Sequence, residues 1–252
     1  MTERSPARPR RPSPVPLQDR ARRLVGPVLL DQVPRDHQQP DHEFRRRRVV
    51  VAVALVVGAT LLGLSLATSP GDPAFYPLTI AVAAVWLIGG FASGPLHLGY
   101  IPFRGTLRRP IVTPVALGLI ASAVFVGGAF VIKYIEPLRN FVAGVLEHAN
   151  QGNLALIAFV ALLNGAAEEV FFRGALFAAI GRRHPIPISV VIYAIVTIAT
   201  GNPMLVFAAV VMGTLFGLQR RASGGILAPM LTHLTWSTMM LFALPPIIGH
   251  PT

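Results

Sequence analysis

Seven apolar runs, at about 49–68, 77–93, 111–132, 154–180, 186–200, 203–219 and 226–244, alternate with short polar connections along this chain of 252 residues. Most have the length of a helix that crosses a hydrocarbon core of ~30 Å at ~1.5 Å per residue. The fourth is long enough to contain a break near Asn164-Gly165, so seven or eight helices are expected. The fifth and sixth are short and are joined by Thr200-Gly201-Asn202-Pro203, a turn that cannot continue a helix. The pattern predicts an all-α fold, a polytopic transmembrane bundle of about seven to eight spans. Gly118, Gly127 and Gly128 in the third run suit close helix packing.

Composition agrees with that class. The chain is 53% hydrophobic and 13% charged, which excludes an ordinary soluble domain. There is no cysteine, so disulfides and thiolate metal sites are ruled out. The formal charge of +11 invites a nucleic-acid reading, but its distribution argues against one. Residues 1–48 hold 12 Arg and six of the eleven acids, and Arg45 to Arg48 directly precede the first run, as anionic headgroups favour. Membrane lipids are the expected partner, with no nucleic acid. Residues 1–48 read as a disordered, basic, Pro/Arg-rich cytoplasmic tail with a short surface helix near 24–33. Residues 49–149 read as N-terminal transmembrane helices and 150–245 as a helical core.

Arginine also sets the expected orientation. Connections rich in Arg (45–48, 104–109, 182–183, 220–221) alternate with connections that lack it at 69–76 and 201–202; a mixed segment follows the third run. The positive-inside rule then places the N-terminus in the cytoplasm.

Against this background Glu168 and Glu169 stand out, because they are the only acids inside any apolar run. Charge at that depth costs a few kcal/mol or more and marks a functional site by default. Glu169 and Arg173 are four apart on one helix face and can pair; Glu168 points elsewhere and is free to take a proton from water. Glu168, Thr197 and His233 each lie 12–14 residues from an arginine-side loop, roughly 18–21 Å in at ~1.5 Å per residue. Three helices thus bring a carboxylate pair, a hydroxyl and an imidazole to one level. Asn164 lies four before Glu168 and is placed to hydrogen-bond to it. Ser237 shares a face with His233. His97, His148 and His184 fall in or beside connections. The bland alternative is a buried ion-pair cluster that pins helices together.

The stretch Asn164-Gly165-Ala166-Ala167-Glu168-Glu169-Val170-Phe171-Phe172-Arg173-Gly174 resembles the EExxxR motif of the CPBP family of intramembrane proteases. That family includes type II CAAX prenyl endopeptidases and bacteriocin-processing and immunity-related proteins. A following helix with Tyr193, and a last helix with His233, continue the resemblance across about 150–245. It implies an integral protein of a bacterial plasma membrane, a metalloprotease-like hydrolase that cleaves a membrane-associated peptide or protein substrate. Glu168 would activate water, Glu169 and Arg173 would form a supporting ion pair, and His233 would be an oxyanion donor or ligand. Two positions depart from the pattern: the FxxxH histidine is Thr197, and the HxxxN asparagine is Ser237. A catalytic zinc usually has three protein ligands, and here Glu168 and His233 are the expected pair. Asn164, Tyr193, Thr197 and Ser237 are the expected supporting residues. Three readings follow: an intramembrane endopeptidase, a catalytically degenerate relative kept for binding or immunity, and a small proton- or cation-coupled transporter.

Overall fold

The computed structural model describes residues 22, 25–33, 39–103, 105–150 and 153–249, with the backbone alone at 148–150. The expected tail therefore lies mostly outside the described residues. Within it, Gly26–Leu30 forms a single wide helical turn.

The first long helix, α1 (Asp41–Leu66), starts eight residues before the apolar run does. Asp41 and Glu43 occupy its first turn, where negative charge suits the positive end of the helix dipole. The arginine run also has partners inside the fold. Arg47 is almost wholly buried and donates to Gln39 Oε1 at 3.1 Å, Ser93 Oγ at 3.4 Å and the Pro95 carbonyl at 3.2 Å. Arg48 Nε donates to the Ala179 carbonyl at 3.1 Å. Part of what reads as a headgroup-binding stretch is a helical turn tied into the bundle.

α2 (Phe75–Ala92) packs along α1. Its Trp86 is fully buried and presses on Gly58 of α1, where a Cβ would overlap the indole. A hairpin, β1 (Ile101–Phe103) and β2 (Thr106–Arg108), then lies between α2 and α3 (Val112–Ile132). Gly118 of α3 lets Thr232 and Thr235 of the last helix approach, as expected of it. Among the described residues nothing lies near a would-be Cβ of Gly127 or Gly128, so no close packing is seen there.

The mixed segment after α3 is not a plain connection. It forms α4 (Glu136–Asn150). Leu138, Phe141, Val142, Val145 and Leu146 recur at helical spacing and give this helix an apolar stripe. The scattered charges hide that period from a search for membrane-length runs.

α5 (Leu154–Ile180) crosses the centre of the bundle, against α2 and the last helix. The expected break at Asn164-Gly165 does not occur. Asn164 Nδ2 donates back to the Val160 carbonyl at 2.9 Å, and Gly165 simply packs beside His233. The irregularity falls later: Glu169–Leu176 is π-helical, the kind of local widening that recurs at functional sites.

α6 (Pro185–Ile198) and α7 (Pro203–Ser223) follow, joined by the expected turn. The Asn202 side chain accepts from the Met204 and Leu205 amides, and its Nδ2 donates to the Phe141 carbonyl of α4 at 2.7 Å. α8 (Leu227–Ala243) ends the bundle, with one further turn at Pro245–Ile248. Among the described residues six helices are long and apolar enough to cross a membrane, and α6 is a shorter apolar one. All seven apolar runs are therefore helices, and the protein is an integral membrane helical bundle. Its surface carries exposed Val53, Val56, Val124 and Phe130, which suits lipid rather than water.

At the end of the bundle that carries the arginine-bearing connections, the segment after α2 is tied by backbone to the turn between α7 and α8. Ile226 and Leu227 donate their amides to the carbonyls of His97 and Leu98 at 2.9 and 3.1 Å, and Tyr100 donates to the Ser223 carbonyl at 2.8 Å. This contact needs Gly225, because a Cβ there would sit inside the Leu98–Gly99 backbone.

A candidate active site at the centre of the bundle

The site forms where α5 widens. Glu169 is fully buried and Arg173 nearly so; Arg173 Nη1 lies 3.1 Å from Glu169 Oε1, the expected one-turn pair. His233 of α8 joins the same oxygen, with Nδ1 at 2.9 Å. Glu169 Oε2 is buried without a partner among the described residues.

Glu168 faces another way and is only partly buried. The Tyr193 hydroxyl of α6 donates to its Oε2 at 2.5 Å. The expected convergence of α5, α6 and α8 at one level is therefore present, with different partners. His233 sits on the second glutamate, not the first. Tyr193, one turn before Thr197, is the α6 residue that reaches Glu168. The Thr197 hydroxyl donates to its own helix, to the Tyr193 carbonyl at 2.8 Å. Asn164 donates to Val160 and forms no bond to Glu168. Ser237 forms no described hydrogen bond and instead lines a cavity beside the site.

Aromatic rings hold the charged groups. The Arg173 guanidinium lies over Tyr193 at 4.7 Å and Phe216 at 5.0 Å from the ring centroids. Phe216 stacks on His233 at 4.8 Å with an interplanar angle of 24°. Arg173 thus has an ionic partner and two ring faces, so its charge is compensated out of water. Gly213 makes room: a Cβ there would stand 3.2 Å from Tyr193 Cδ1 and 3.3 Å from Arg173 Nη2. Arg220 Nε donates to the Arg173 carbonyl at 2.6 Å and so grips the π-helical turn from α7. Gly213, Phe216 and Arg220 escape sequence reasoning. An apolar helix offers no signal for the first two, and Arg220 reads as a topology residue.

The expected zinc does not fit this arrangement. Glu169 Oε1 is shared by Arg173 and His233, Glu168 is held by Tyr193, and Thr197 brings a hydroxyl where a third ligand is needed. Among the described residues no three His, Asp or Glu side chains are grouped to hold a metal ion.

A pair of adjacent carboxylates, one buried and one half-buried, inside a helical membrane bundle is the class of site this structure defines. Residues 150–239 match the model of a family described as type II CAAX prenyl endopeptidase Rce1-like. The resemblance carried by Asn164 to Gly174 thus extends over α5 and through most of α8, consistent with the CPBP family. No curated protein and no solved structure matches the chain.

Proposed function

We propose that the protein is an intramembrane endopeptidase in which Glu168 activates water against a peptide bond of a membrane-associated substrate. The observation that carries this reading is the division of labour between adjacent carboxylates. Glu169 is committed to Arg173 and His233, whereas Glu168 is held by one hydroxyl and keeps its other oxygen for a water. That is the arrangement general base catalysis asks for: one group fixed as a charge, its neighbour within reach of a transferable proton. Tyr193 orients the base.

The reaction then runs as follows. Glu168 takes a proton from water, whose oxygen attacks the peptide carbonyl and forms a tetrahedral oxyanion. With Nδ1–H donated to Glu169 Oε1, His233 keeps Nε2 for the reaction, and in its protonated form Nε2 donates to that oxyanion. The proton on Glu168 passes to the leaving amine as the C–N bond breaks. No step passes through a metal.

One observation favours a second reading, a binding or immunity protein that keeps the bundle without the chemistry. Thr197 stands where the family pattern has histidine, and its hydroxyl is spent within its own helix. The two are separated by Glu168→Gln, a near-isosteric change. Loss of the base is expected to lower cleavage of a membrane-associated substrate by roughly 100- to 10,000-fold while the protein still folds. Unchanged biological activity in that variant would leave the second reading standing.

A further inference from the structure

Beside the site lies a cavity of about 950 Å³, near the upper end of ligand pockets, roughly 300–1,000 Å³. It occupies the half of the bundle away from Arg182-Arg183 and Arg220-Arg221. Its walls are the first halves of α5 and α7, the last halves of α3 and α8, and the apolar stripe of α4, from Leu138 to Leu146. Among the described residues no Asp, Glu, Lys, Arg or His lines it. Its polar side chains include Asn164, one turn before Glu168, and Ser237, one turn after His233, so its inner end lies about one helical turn from the site.

We propose that this cavity receives a helical, uncharged apolar peptide segment, which enters from the α4 end and presents its bond at Glu168. The inference rests on the peptidase reading and adds the substrate class to it. Three physical arguments support it. First, an extended peptide in such walls would leave amides and carbonyls unpaired, at a cost of several kcal/mol each, whereas a helix pairs its own. Second, a helix is ~10–12 Å across. By volume the void corresponds to roughly two turns of such a helix. Third, the opposite end is tied together by the hydrogen bonds of Ile226 and Leu227 to the 97–98 backbone, which favours the α4 end for entry. There, Asn202 ties the α6–α7 turn to α4 through the Phe141 carbonyl, and Ala143 and Leu146 pack against Ile248. At the floor, Asn164 keeps its Oδ1 and Ser237 its hydroxyl, partners for the first backbone groups released as the segment unwinds.

The test uses the full chain in phosphatidylcholine–phosphatidylglycerol vesicles with three probes. These are an uncharged Leu/Ala helical peptide, the same peptide with one Lys in its inserted part, and a short peptide carrying a farnesyl thioether. Cleavage of the first is expected, with roughly 100-fold less of the second because its charge finds no partner. A binding readout is independent of turnover. The protein lacks cysteine, so Val142→Cys in a Glu168→Gln background offers a single thiol on the α4 wall. It is expected to form a disulfide with a cysteine-bearing copy of the first peptide, and Met240→Trp, which fills the cavity, is expected to prevent this. Equal cleavage of the Lys peptide, or preference for the farnesylated one, overturns the substrate class while proteolysis stands. Disulfide formation without any cleavage by the wild-type protein supports the cavity assignment and sinks the peptidase reading.

Discussion

At the scale of residues, the centre of this protein is one oxygen, Glu169 Oε1, shared by a guanidinium and an imidazole. A buried carboxylate tolerates that position because two donors and a stacked ring shell replace its water. Glu168 is held more lightly, by Tyr193 alone among the hydrogen-bond donors described. Tyr193→Phe removes this bond and little volume. Loss of a hydrogen bond to a charged acceptor is worth ~1.5–3 kcal/mol. The variant is therefore expected to lose roughly 10- to 100-fold in kcat/KM, most of it in kcat, while its thermal unfolding in detergent shifts little. A change confined to KM would show that Tyr193 serves binding and not the base. The sequence made Glu168, Glu169, Arg173 and His233 legible because charge in an apolar run is costly enough to demand a reason. It read the Glu169–Arg173 pair and misplaced the partner of His233, since a 100° step around a helix does not say which neighbour on another helix lies opposite.

At the scale of elements, the widened turn Glu169–Leu176 and the close contacts around it decide where the site sits. Trp86 stacks near Phe171 and Phe172 at centroid distances of 4.6 and 5.1 Å, so α1 and α2 form the backing of the α5 turn. Gly58 is the contact that permits this. Gly58→Leu overfills it and is expected to cost about 1–3 kcal/mol, read as a lowered midpoint in denaturant titration of the detergent-solubilised protein. A wild-type midpoint would mean that α1 is not tightly docked. α4 is the element that the search for membrane-length apolar runs missed. Its stripe repeats with helical period from Leu138 to Leu146, but Glu136, Arg139 and Glu147 keep it below the hydropathy of a span.

At the scale of the whole molecule, the connections with Arg182-Arg183 and Arg220-Arg221 lie on one side of the bundle and the large apolar cavity on the other, where α4 carries Arg139. If the arginine-bearing side is cytoplasmic, as the positive-inside rule expects, substrates reach the site from the outer half of the membrane. The absence of cysteine makes this measurable. Arg183→Cys should react with a membrane-impermeant maleimide only after cells are opened, and Ser69→Cys should react in intact cells; the reverse pattern inverts the orientation. The hydropathy pattern alone determined a helical membrane bundle and the depth of its charged site, because apolar length and uncompensated charge act locally and are strong in lipid. Only the tertiary structure decided that Tyr193, not Thr197, holds Glu168, that His233 belongs to Glu169, and that α4 walls a cavity. Those outcomes depend on the rotation and packing of whole helices about one another, which no single run of residues encodes.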